Sequence, residues 1–141
     1  MKRTILTILI LAGALSAPAS ASAAEWQTAK MSTYGWPGDG PYQPLAGCGY
    51  RKIGPPNAGQ RLPCNLSPNI IGVAVVHGVA RLGERLSFEI CVDGTCGRYW
   101  LRVIDYCGPG CARNGVLFDI SWGGARRTNF GYAVREVRWR K

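Results

Sequence analysis

Short apolar runs separated by turn-forming residues make up the second half of the chain. Residues 70–76 (Ile-Ile-Gly-Val-Ala-Val-Val) carry no polar side chain. Such a run predicts a buried strand, or a strand passing into a short helix over 77–82. Residues 86–92 alternate apolar with polar at period two, and 99–104 do so in part, as half-buried strands do. Residues 116–120 predict a further short strand. Val137 and Trp139, interleaved with Arg138 and Arg140, predict a final strand with one face inward. The stretch 36–64 reads differently. Trp36-Pro37-Gly38-Asp39-Gly40-Pro41 and Gly54-Pro55-Pro56-Asn57-Ala58-Gly59 are too rich in turn formers for a helix or a long strand. A long surface loop system is predicted there, of the kind that tends to carry function. No internal repeat or heptad is present. The pattern predicts an all-β protein with small helical turns, built as a barrel.

The first residues change the picture of where the chain works. Met1, Lys2 and Arg3 precede an apolar stretch over 5–15, and Ala21-Ser22-Ala23-Ala24 offers a small-residue cleavage pattern. This is the layout of a signal peptide, and the apolar stretch falls short of the roughly 20 residues a membrane-spanning helix needs. The expected organisation is a signal peptide over 1–24, a flexible arm over 25–31 and one barrel domain over 32–141. A secreted, extracellular monomer is expected, with no membrane association after cleavage and no further domain beyond Lys141. Of 17 basic residues, Lys2 and Arg3 leave with the signal; the remaining 15 against 8 acids give a net charge of +7. That balance favours acidic surfaces such as wall polymers, anionic glycans or an acidic protein face. The bases are scattered apart from Arg135, Arg138, Arg140 and Lys141, so no nucleic-acid partner is expected.

All six cysteines (Cys48, Cys64, Cys91, Cys96, Cys107, Cys111) fall after the signal. An even count in an exported chain implies three disulfides. Cys91 and Cys96 flank Val92-Asp93-Gly94-Thr95, and Asp-Gly is a strong hairpin-turn signal, so these two are expected to pair. The other four could pair locally or across. Cys91, Cys96, Cys107 and Cys111 could also be read as a zinc site, but their spacings do not suit a knuckle, and neither metal nor cofactor is expected.

Four pieces of the chain, in order, form a recognisable pattern. They are Ser32-Thr33-Tyr34-Gly35; Gly47-Cys48-Gly49-Tyr50; the Cys91…Cys96 pair; and Val103-Ile104-Asp105-Tyr106-Cys107-Gly108-Pro109-Gly110-Cys111 followed by Phe118-Asp119-Ile120-Ser121. The chain thereby resembles the double-psi β-barrel superfamily, which includes the first domain of expansins, barwin and rare lipoprotein A. The resemblance implies a six-stranded, disulfide-stapled barrel. It also implies a short helix over 122–127, although Gly123 and Gly124 weaken a helix by about 1 kcal/mol each.

The resemblance makes Asp119 the sharpest polar candidate, because the matching aspartate in relatives contacts a glycan or acts as general acid. Hydrolysis would need a second carboxylate about 5–10 Å away, and Asp105 is the only obvious partner. The alternative is that both aspartates cap turns through backbone N–H groups. Ser32 and Tyr34 match residues lining the groove in relatives, and Tyr106 lies in the same motif as Asp105. Trp36 and Trp122, beside Pro37 and Gly123, are candidates for surface aromatic contacts; Trp100 and Trp139 sit in strand patterns and read as core. The lone His77 reads as a packed residue. A Cys/His nucleophile would need a free thiol, and three disulfides leave none.

Two functions are therefore expected, both non-catalytic apart from a residual lytic role for Asp119. One is an inhibitor of papain-type cysteine proteases, resembling small inhibitors secreted by actinobacteria, with the stapled loops before Cys64 as the binding element. The other is an expansin- or rare-lipoprotein-A-like module that binds cellulose or peptidoglycan. The single compact module and its rigid loops favour the inhibitor slightly.

Overall fold

The computed structural model describes residues 24–37 and 43–141. The expected signal peptide lies outside the described residues except for Ala24, as do residues 38–42 of the loop system. Six strands and two short helices follow in order: β1 (Gln27–Tyr34), β2 (Val73–Val75), β3 (Arg85–Val92), β4 (Thr95–Tyr106), α1 (Pro109–Arg113), β5 (Val116–Ser121), α2 (Trp122–Arg127) and β6 (Arg135–Arg140). The strands close into a mixed barrel in the order β1-β5-β2-β4-β3-β6. The β1–β5 and β2–β4 pairs are parallel and the other four antiparallel. A six-stranded, disulfide-stapled β-barrel with few helical turns is thus what the chain forms.

Alternation places the core. Leu86, Phe88, Ile90 and Val92 of β3, Phe118 and Ile120 of β5, and Val137 and Trp139 of β6 all point inward. Phe118 meets Phe88 and Trp139 edge-on at centroid distances of 5.0 and 4.9 Å, the geometry aromatic quadrupoles favour. The hairpin between β3 and β4 turns on Asp93 and Gly94, both at positive φ (49° and 79°), which is the turn that suits the twist of the strands. It sets Cys91 opposite Cys96, and they are bridged as expected. The remaining bridges are local, Cys48–Cys64 and Cys107–Cys111.

Four sequence expectations need correction. Strand β1 begins at Gln27, so most of the expected arm is barrel. Its alternating residues Ala29 and Met31 face the core, and residues 27–31 pair with β6. Only Val73–Val75 of the 70–76 run is strand, and turns rather than a helix follow it. Trp100 is 53% exposed because β4 turns that face to solvent, whereas Trp139 is buried. His77 is exposed, stacked on the Tyr106 ring at 3.8 Å, rather than packed in the interior.

Helix α2 forms despite its two glycines, and packing supplies the reason. A Cβ on Gly123 would collide with the backbone of residues 69 and 70, and one on Gly124 with Ile120. Buried Ser121 caps the helix. Its Oγ accepts from Gly124 N at 3.3 Å and Gly72 N at 3.0 Å, and donates to the Ile70 carbonyl at 2.7 Å. One hydroxyl thus joins β5, α2 and the segment leading into β2. Among the described residues, no helix is long and apolar enough to cross a membrane.

Candidate functional site

Register across four neighbouring strands builds the site. Ser32 on β1 lies opposite Asp119 on β5; Asp119 lies opposite Ala74 on β2; Ala74 lies opposite Asp105 on β4. The two aspartates are therefore two strand spacings apart, about 10 Å along the sheet, with only the small Ala74 between them. The depression is the floor of a groove of about 560 Å³. Lys30 and Tyr34 of β1, Tyr106, and the Cys107–Cys111 bridge at the start of α1 line its walls.

The aspartates differ in their commitments. Asp105 Oδ1 accepts from its neighbour Tyr106 N at 2.9 Å and from Ala46 N at 2.8 Å. It anchors the stapled loop to the barrel as well as facing the groove. Asp119 Oδ1 accepts from the Ser32 hydroxyl at 2.9 Å, and the Cys107 sulfur lies 3.9 Å from Oδ2. The sulfurs of Cys107 and Cys111 and the Asp119 carboxylate lie within 4.8 Å of one another. The two sulfurs are bonded to each other, so no thiolate is available there as a metal ligand.

Tyr34 completes the wall. Its hydroxyl is buried and has no hydrogen-bond partner among the described residues. Burial, and then the charges of Asp105 and Asp119, raise this phenol well above its ordinary value of 10.0, so it stays a neutral donor at physiological pH. Trp139 Nε1 is likewise buried and unpartnered, but it belongs to the core cluster, whereas Tyr34 borders the groove.

Five expected site residues therefore meet in one groove: Ser32, Tyr34, Asp105, Tyr106 and Asp119. Trp36 and Trp122 do not line it. They meet edge-on at 4.2 Å, with Tyr132 tilted against Trp36 at 5.6 Å. A smaller hollow of about 200 Å³ shares Ser32 and Val134 with the groove and reaches Tyr132. Sequence reasoning missed Lys30 and Val134, which line the groove, and Tyr132, which lines the smaller hollow; none carries a motif, and Lys30 arrives on β1 while the other two lie on the segment between α2 and β6. No family model matches this chain, and no curated protein matches it.

Proposed function

We propose that this is an exported double-psi β-barrel, related to expansins, barwin and rare lipoprotein A, whose groove binds a wall polysaccharide without cleaving it. The Ser32–Asp119 pair on the floor of the groove carries this reading. That pair offers a carboxylate for sugar hydroxyls, and Tyr132, which lines the adjoining hollow, packs against Trp36 and through it Trp122. Cleavage is not part of the proposal, because Asp105 already holds two backbone N–H groups. Three disulfides accord with an oxidising extracellular compartment. The test is a pull-down of the mature protein on cellulose and on peptidoglycan, beside Asp119→Ala. Wild-type retention that drops in the variant, with no reducing ends released, is expected. No retention on either polymer would overturn the reading.

A second reading, an inhibitor of papain-type cysteine proteases, is favoured by the stapled loop. Cys48–Cys64 closes it, and backbone bonds Leu45 N to Cys64 O (2.9 Å), Lys52 N to Gln60 O (2.8 Å) and Gly47 N to Ile104 O (3.0 Å) brace it. Tyr50 and Ile53 are exposed on this rigid element, which would lose little entropy on docking. Undiminished papain activity at equimolar protein would remove it.

A further inference from the structure

A second face of the barrel has a composition that the groove does not account for. On the β3–β4 ladder Arg85 lies directly opposite Arg102. Like charges at such positions are destabilising. No carboxylate relieves them: the ion pairs among the described residues are Arg81–Glu84, Arg98–Glu89 and Arg138–Glu89. Backbone carbonyls hold the two guanidinium groups instead. Arg102 donates to Ile53 O at 2.6 Å, Gly83 O at 2.8 Å and Pro56 O at 2.9 Å, and Arg85 donates to Pro55 O at 2.6 Å. The Arg85 guanidinium sits 4.9 Å from the centre of the exposed Trp100 ring. Burial, and then the Arg85 charge, lower Arg102 from its ordinary value, as expected of a cation held without a counter-ion.

Two hollows of about 380 and 350 Å³ share Arg85 and Trp100. Lys52 and Arg127 line one and Lys141 the other, while the sole acid, Glu84, is paired to Arg81. Between these cations stand the exposed apolar side chains of Ile53 and Ile71. Arginine and tryptophan held rigid beside exposed aliphatic groups is the composition of a protein-binding hot spot. Polyphosphate would leave Trp100, Ile53 and Ile71 without a partner, and a uronate polymer would leave the aliphatic Ile53 and Ile71 without one.

We infer that the face built on Arg85, Arg102 and Trp100 docks an acidic polypeptide surface that also carries apolar side chains. The inference stands independently of the ligand in the groove. It also defines the surface a protease would have to present under the second reading. Charge complementarity directs the partner to this face, and Trp100 supplies the desolvated anchor. The fixed guanidinium groups lose little freedom on binding.

Binding of the mature protein to a glutamate–tyrosine copolymer is the test, with polyglutamate and inorganic polyphosphate as comparison probes. The copolymer should bind at least about tenfold more tightly than either, the order an aromatic anchor contributes. Binding should weaken as salt rises. Trp100→Ala and Arg85→Ala should each weaken it about tenfold, and both lie on the surface side of their ladder. Arg113→Ala, which removes the same charge at the end of α1, should leave it unchanged. Equal binding to polyphosphate and copolymer would show a charge effect alone and overturn the inference. So would copolymer binding indifferent to Trp100→Ala, or none at all.

Discussion

Replacing Tyr34 by Phe tests the energetics of the barrel wall behind the groove. The substitution removes one buried oxygen that has no partner among the described residues. Deleting a hydrogen-bonded buried hydroxyl normally destabilises; deleting an unpartnered one removes its desolvation penalty, about 1–3 kcal/mol. Allowing for the small void left by the oxygen, Tyr34→Phe should be more stable than wild type by about 1 kcal/mol. For a domain of this size that is a rise in Tm of about 4 °C. Binding to the wall polymer should change little, because the hydroxyl oxygen is closed off from the groove. The pH dependence gives a third check. The folded phenol titrates above its ordinary value of 10.0, so above pH 10 the unfolded chain loses this proton while the folded chain keeps it. Stability from this group is therefore intact below pH 10 and falls as pH rises, by up to about 1.4 kcal/mol per unit until the folded group also ionises. The variant lacks that loss, so its advantage over wild type should widen above pH 10. Urea unfolding of both proteins at pH 7 and at pH 10.5, with disulfides intact, measures all of this. A variant less stable than wild type at pH 7 would show that the hydroxyl is satisfied in solution.

Two further outcomes concern the scaffold. Ser121→Ala removes a helix cap and strands the Ile70 carbonyl and two backbone N–H groups, so a loss of about 3 kcal/mol is expected by urea unfolding; under 1 kcal/mol would show that the hydroxyl does not join the three elements. Replacing Cys48 and Cys64 together by Ser opens a bridge of sequence separation 16, which should cost about 3 kcal/mol and expose the loop to limited proteolysis while β1–β6 stay protected from hydrogen exchange.

The barrel was legible because strand signals are local. Period-two alternation over 86–92 and the Asp93-Gly94 turn each declare a strand or a turn without reference to the rest of the chain, and both formed as read. Trp100 misled for the same reason. Alternation says that successive residues face opposite sides, but not which side is the core, and the ladder turns this indole outward. The start of β1 was missed because Gln27, Thr28 and Lys30 look like a polar arm until β6 supplies a partner edge. Ser32, Asp105 and Asp119 were legible only through motif resemblance, since their meeting depends on parallel and antiparallel registers between strands far apart in sequence. The basic face was not legible at all. Arg85 and Arg102 are 17 positions apart in sequence, in a chain whose charges look scattered, and only the hairpin register sets them opposite one another.

Asp105 is where structure and function have to be separated, because it faces the groove while holding the loop. Its Oδ1 accepts both backbone hydrogen bonds, from Ala46 and Tyr106. An asparagine keeps an oxygen at that position and loses only the charge, whereas alanine loses both acceptors. If the residue acts as an anchor, Asp105→Asn should cost under about 1 kcal/mol and Asp105→Ala about 2 kcal/mol, the low end for two charge-assisted bonds because the Ala46 bond is solvent-exposed. Hydrogen exchange at the Ala46 amide should quicken in the alanine variant and change little in the asparagine variant. Polymer retention should follow the same order, since a loosened loop disturbs the groove but a neutral anchor does not. A carboxylate needed for chemistry would show otherwise: wild type would release reducing ends from the polymer, and Asp105→Asn would fold as wild type and release none. That outcome would return Asp105 to the side of Asp119 as half of an acid–base pair, and the non-catalytic reading would have to be given up.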